Sequence, residues 1–123
     1  MAEVKKRVLI IDDSTFTFEQ LKSLIEKTGI AEVVGHGKDG MQGVKLYREL
    51  TPDVVFLDIL MPNMDGLQTL RAIMSMDKNA KVVMISSLGG AAEKAEEALR
   101  YGAKAIISKP FDEKEIEKIL KNI

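Results

Sequence analysis

Asp12, Asp13, Asp58, Ser86 and Lys109 share one kind of position in this sequence, at or just past the end of a short apolar run. The run 8–11 ends in Asp12-Asp13, the run 54–57 in Asp58 and the run 82–85 in Ser86-Ser87. The run 105–107 leads through Ser108 to Lys109-Pro110. Runs rich in Val and Ile with little alternation read as strands covered on both faces. In an open parallel sheet the carboxyl ends of the strands line the ligand crevice, so residues far apart in the chain are expected to meet in one pocket. Three carboxylates so gathered repel one another, by roughly 4 kcal/mol per pair at ~4 Å and an effective dielectric of about 20. Either a carboxyl is protonated or a cation is bound. Oxygen ligands alone suit a hard cation such as Mg2+, which keeps part of its water. With Lys109 as a second positive charge and the Ser86 hydroxyl as a donor, such a pocket can hold a phosphoryl group for in-line transfer to a carboxylate, by positioning and electrostatics. An aspartyl phosphate is a known kind of covalent intermediate.

The elements that must position these residues follow from the rest of the pattern. A further apolar run, 31–34, makes five in all, and helical stretches lie between and after them. Leu21, Leu24, Ile25 and Thr28 share one helical face, as do Val44, Tyr47 and Leu50, and then Leu67, Leu70, Ile73 and Met74. Residues 91–101 are rich in Ala and Glu, and Ile116, Ile119, Leu120 and Ile123 make a last apolar stripe. Ser14, Asp39, Asp65 and Asp112 are predicted N-caps. Gly29 and Gly102 are predicted helix stops, and Thr51-Pro52-Asp53 ends the second helix. Five strand–helix units predict an α/β domain, a parallel sheet with helices on both faces.

Composition narrows the function. The 123 residues carry 18 Lys plus Arg against 19 Asp plus Glu, a net charge of −1 that argues against a general nucleic-acid binder. With no cysteine and one histidine, disulfides, thiolate or multi-histidine metal sites and cysteine nucleophiles are excluded. The length fits one domain with a core of its own. No apolar run approaches the length of a membrane span, and no cleavage-site pattern follows the first one. A cytoplasmic protein is expected.

Taken together, Ile11-Asp12-Asp13-Ser14, Asp39-Gly40, the run from Pro52 to Asp58, Met61-Pro62-Asn63-Met64-Asp65-Gly66, Ser86-Ser87, Gly102-Ala103 and Lys109-Pro110-Phe111 resemble the receiver domain of two-component response regulators. The resemblance covers nearly the whole chain and is strongest to the small stand-alone, CheY-like receivers of chemotaxis. It implies a flavodoxin-like (βα)5 three-layer sandwich with sheet order 2-1-3-4-5, one domain over residues 1–123. It implies that Asp58 accepts a phosphoryl group from the phosphohistidine of a sensor histidine kinase or phosphotransfer protein. Asp13, Asp58 and the Leu60 backbone carbonyl would bind Mg2+, with Asp12 acting mostly through water. Lys109 would pair with the phosphoryl group, Ser86 would follow it, and the Lys109-Pro110 peptide would be cis. The face formed by the fourth helix, fifth strand and fifth helix would then change for a downstream target protein. On this reading the chain is a monomer, not an enzyme beyond its own phosphorylation and dephosphorylation, with no output domain after Ile123. The alternatives are a phosphate sink or relay, and a non-phosphorylated interaction module on the same fold. A phosphohydrolase is disfavoured by the spacing of Asp12 and Asp13, and a flavodoxin by two acids where a phosphate loop belongs.

The sequence departs from that family in places. Ile106 stands where the family usually has Phe or Tyr, and an isoleucine has no ring for the usual aromatic coupling. Tyr101 is either a partial substitute or a surface residue. Leu60 and Leu88 flank the expected phosphoryl site and cannot orient an attacking water, which predicts slow loss of the group. Phe18 is either an exposed docking contact or a cap on the core beside Leu21. His36 reads as a surface residue at a strand end, not a ligand. The seven methionines read mainly as core filling.

Overall fold

The computed structural model describes residues 4–61, 64–86 and 92–123. Five strands and five helices alternate: β1 (Lys6–Ile11), α1 (Thr15–Lys27), β2 (Ala31–Gly37), α2 (Gly40–Leu50), β3 (Val54–Asp58), α3 (Gly66–Met76), β4 (Val82–Ser86), α4 (Ala92–Arg100), β5 (Ala105–Ser108) and α5 (Glu113–Asn122). The strands form one parallel sheet in the order β2-β1-β3-β4-β5. Helices cover both faces, so the expected three-layer, flavodoxin-like architecture is present.

Two apolar clusters show why this pattern folds this way. Alternate residues of the central strands point to opposite faces. Leu9, Ile11, Val55, Leu57 and Met84 pack with Tyr47 of α2, Leu70 and Ile73 of α3 and Ala98 of α4. Val8, Ile10, Val54, Phe56, Val83 and Ile85 pack on the other face with Leu21 and Ile25 of α1 and Ile116 and Leu120 of α5. Each fully buried large apolar side chain stabilises the fold by about 1.5–3 kcal/mol.

The strands differ from expectation at the edges of the sheet. β1, β3 and β4 are covered on both faces, whereas β2 and β5 lie at the edges and are mostly half-buried. An edge strand has a neighbour on one side only, and its Val/Ile content alone does not report this. The methionines also divide: Met84 is fully buried, but Met41 and Met76 are exposed.

The helix ends are where the sequence places them. Ser14, Asp39, Asp65 and Asp112 each accept a backbone N–H from the first turn of the helix they precede. Asp65 and Gln68 form a reciprocal capping box. Gly29 and Gly102 take positive φ, as helix-stopping glycines do. At the end of α2, Thr51 adopts φ 43° before Pro52, and Arg7 Nη1 donates to the carbonyls of Leu50 (2.6 Å) and Thr51 (3.2 Å). The arginine thus supplies donors to helix carbonyls that have no intrahelical partner.

Candidate functional site

The carboxyl ends of β1 and β3 bring three acids together. One carboxylate oxygen from each of Asp12, Asp13 and Asp58 lies within 4.8 Å of the others. Asp12 and Asp58 are buried and Asp13 is exposed. The loop after β1 is tied to the neighbouring strand, because the Asp12 N–H donates to the Gly37 carbonyl at 2.9 Å. Asp58 closes β3 opposite Ile85 of β4, and the next residue continues the pairing through Ile59 N–H to Ile85 O at 3.1 Å.

Each buried carboxylate has one oxygen fixed. The Ser14 N–H donates to Asp12 Oδ1 at 2.8 Å, and the Leu60 N–H donates to Asp58 Oδ1 at 3.2 Å. Asp12 Oδ2 is buried and, among the described residues, has no hydrogen-bond partner. An ionised oxygen in that position is costly unless a cation or water meets it. Burial and then the charge of Asp12 push the Asp58 carboxyl up to about 6. Burial likewise raises Asp12, against the opposing pull of the Ser14 amide and Lys109. Three acids, one bearing an unmet buried oxygen and two resisting ionisation, fit a hard divalent cation.

Ser86 and Lys109 reach the same end of the sheet from β4 and β5. Ser86 ends β4 half-buried, opposite Ser108 of β5, and its carbonyl accepts the Lys109 N–H at 3.0 Å. The Lys109 charge draws the carboxyls of both Asp12 and Asp58 downward. The Lys109-Pro110 peptide is cis, as expected. Leu60 is 48% exposed. Ser87 and Leu88, with Pro62, Asn63, Gly89 and Gly90, lie outside the described residues.

A family model for the response regulator receiver domain matches residues 8–121. The chain belongs to this family. It is 42% identical over 118 residues to the chemotaxis protein CheY of Thermotoga maritima, covering 96% of this chain and 97% of that one. It is 45% identical over 106 residues to a protein-glutamate methylesterase/protein-glutamine glutaminase of the same organism, 85% of this chain but 30% of that longer protein. Among solved structures, a chain in the CheX–CheY–BeF3–Mg2+ complex of Borrelia burgdorferi matches with a TM-score of 0.85 and 39% identity, over 95% of this chain and 87% of that chain. The receiver is therefore homologous to CheY.

Of the side chains singled out near the site, His36 differs from expectation, Phe18 takes the core-capping one of its two readings, and Tyr101 takes the surface one. His36 is half-buried in β2, and its Nε2 lies 2.9 Å from the Asp12 carbonyl oxygen. Phe18 stacks on His36, with ring centroids 3.9 Å apart and planes 4° from parallel, and packs against the α1–α5 core. The exposed aromatic of α1 is Phe16, at 77%. Spacing on one helix separates the two phenylalanines poorly, because what covers Phe18 comes from another element. The signal available is adjacency: β2 pairs with β1, so a residue near the end of β2 meets the loop that follows β1. Tyr101 sits at the surface, under the Arg71 guanidinium at 4.9 Å and donating to Glu97 at 3.2 Å. Ile106 is half-buried against the cluster of α2, α3 and α4.

Proposed function

We propose that this receiver, one domain over residues 1–123, is a phosphorylation switch of two-component signalling, in chemotaxis or a related pathway. The phosphohistidine of a sensor kinase or phosphotransfer protein gives its phosphoryl group to Asp58. The bond from imidazole nitrogen to phosphorus breaks, its electron pair staying on nitrogen, as the bond from an Asp58 carboxylate oxygen to phosphorus forms. With Oδ1 engaged by the Leu60 amide, Oδ2 is the oxygen left to attack. Asp12, Asp13, Asp58 and the Leu60 carbonyl would hold Mg2+, which supplies positive charge against the phosphoryl oxygens. Lys109 adds a second positive charge, and the Ser86 hydroxyl donates to the new group. The added charge and acceptors then draw Ser86 and the end of β4 toward Asp58 and alter the face of α4, β5 and α5 for a target protein.

The observation that carries this reading is the acidic cluster at the strand ends, with a buried unmet oxygen and the Lys109 charge beside it. Similarity to a protein crystallised with Mg2+ and BeF3 supports it. The test is intact mass after incubation with acetyl phosphate. Wild type gains the mass of one phosphoryl group only with Mg2+, and Asp58→Ala gains none. No gain in wild type, with a donor active on another receiver, overturns the reading; absence of Mg2+-dependent beryllofluoride binding then identifies a non-phosphorylated module. A phosphate sink is the second reading, favoured by Ile106, whose aliphatic side chain offers no ring to swing between buried and exposed positions.

Leu60 gives a further expectation. An apolar, 48% exposed side chain beside the phosphoryl site cannot orient a hydrolytic water. Leu60→Asn should lose its phosphoryl group faster than wild type, by about tenfold, a barrier change of about 1.4 kcal/mol. The decay of the phosphorylated mass after removal of the donor measures this.

A further inference from the structure

The backbone between the two consecutive acids is held by a device outside the acidic cluster. Asp12 has lost the regular ladder of β1, which ends at Ile11. Its N–H still donates to the Gly37 carbonyl at 2.9 Å. Its carbonyl, part of the peptide that joins Asp12 to Asp13, takes its hydrogen bond from a side chain, His36 Nε2 at 2.9 Å. A carbonyl only accepts, so Nε2 must carry hydrogen, which is true of the Nε2–H tautomer and of the imidazolium alike. The ring is set from its flat side by Phe18, stacked at 3.9 Å. Phe18 is in turn joined to the same loop, its N–H donating to the Ser14 carbonyl at 3.0 Å, while the Ser14 N–H holds Asp12 Oδ1 at 2.8 Å. The loop 12–14 is thus gripped by one aromatic pair, with one ring from β2 and the other from α1.

We propose that His36 and Phe18 are positioning residues that fix the Asp12–Asp13 peptide plane, and so determine how tightly the acidic cluster holds its cation. Neither side chain belongs to the acidic group that would hold the cation. The plane sets where the Asp13 side chain leaves the backbone and where the unmet Asp12 oxygen points. Outer groups that orient metal ligands commonly change metal affinity by 10–100-fold when removed. The inference rests on the proposed Mg2+ site and adds a reason for an imidazole in an edge strand, where the sequence alone suggests a bland surface residue.

The test compares wild type with His36→Leu, His36→Gln and Phe18→Leu. Mg2+ dissociation constants come from titration calorimetry, and the Asp12 carbonyl carbon shift from NMR. His36→Leu should weaken Mg2+ binding about tenfold and move the Asp12 carbonyl shift. His36→Gln, whose amide nitrogen restores a donor, should recover most of both. Phe18→Leu, which leaves the donor but removes the stack, should weaken binding by about threefold. If the glutamine variant is as impaired as the leucine variant, or if a folded His36→Leu binds Mg2+ like wild type, the positioning role is overturned while the phosphorylation switch stands. Should His36→Leu not fold, Phe18→Leu decides, wild-type affinity there counting against the proposal. If wild type itself binds no Mg2+, the proposal fails together with the functional reading.

Discussion

Freed of divalent cations, the Asp58→Asn variant should be more stable than wild type at pH 8 and about equal to it at pH 4. The cause is the cost of an ionised Asp58. Burial, with the Asp12 charge second, raises its carboxyl from 3.8 to about 6. The folded protein therefore holds this proton more tightly than the unfolded chain does. The contribution is fully present below about pH 4 and is lost as pH rises through about 6. The gap between 3.8 and about 6 corresponds to about 3 kcal/mol lost by wild type at pH 8. Asparagine has nearly the same shape and no charge to bury, so it escapes this loss. A gain of about 2–3 kcal/mol, or roughly 5–10 °C in melting temperature, is expected in chelator. Mg2+ should then raise the melting temperature of wild type, since it binds the folded form, and should have little effect on the variant. Melting curves at pH 4 and 8, with chelator and with Mg2+, measure all four corners. A variant no more stable than wild type at pH 8 would mean that the buried carboxylate is not a liability. The acids of the cluster thus weaken the metal-free fold in the same arrangement that lets them hold a cation.

The main elements and the acidic cluster were legible in the sequence for one physical reason. β1, β3 and β4 are buried on both faces, so their apolar runs are uninterrupted, and the first polar residue after each is conspicuous. Asp12, Asp58 and Ser86 are such residues. The four N-caps were legible because a short side-chain acceptor before an amphipathic stretch has few other uses. The sheet order was not readable from periodicity, since alternation says nothing of neighbours; it entered with the resemblance. What the edge strands do was also hidden. His36 has a half-buried ring because β2 borders β1 and Phe18 comes over from α1, a three-element contact that no one-dimensional pattern contains. The same limit applies to Phe16 and Phe18, two residues apart on α1, one open to solvent and the other stacked.

Gly66→Ala should be among the most damaging single substitutions in the chain, although it changes one methyl group at the start of a helix. A Cβ at Gly66 would lie 2.2 Å from the Asp58 carbonyl oxygen, 2.6 Å from Ile59 Cα and 2.8 Å from the Ile59 carbonyl oxygen. All three are backbone atoms, so no side chain can turn aside. Neither partner is free to retreat. Asp58 and Ile59 are held to Ile85 of β4, and Gly66 donates its own N–H to Ile59 O at 2.8 Å. Behind it, the capping box of Asp65 and Gln68 fixes the first turn of α3. Overpacking of side chains commonly costs 1–3 kcal/mol; against fixed backbone, a loss of about 3 kcal/mol or more is expected, read as a fall in the urea midpoint at unchanged slope. Gly29→Ala is the comparison. Its Cβ would meet nothing within 4 Å, and only its φ of +77° opposes a side chain, a cost of about 1 kcal/mol. Equal midpoints for the two variants would refute the steric argument. The clash also falls on the backbone of the proposed phosphoacceptor, so the surviving folded fraction should accept phosphoryl groups more slowly. A displacement of about 1 Å at a reacting group can cost on the order of 100-fold in rate. The glycine in Met64-Asp65-Gly66 is thus explained by contact with the main chain of Asp58: the helix that follows the site must start against the strand end that carries it.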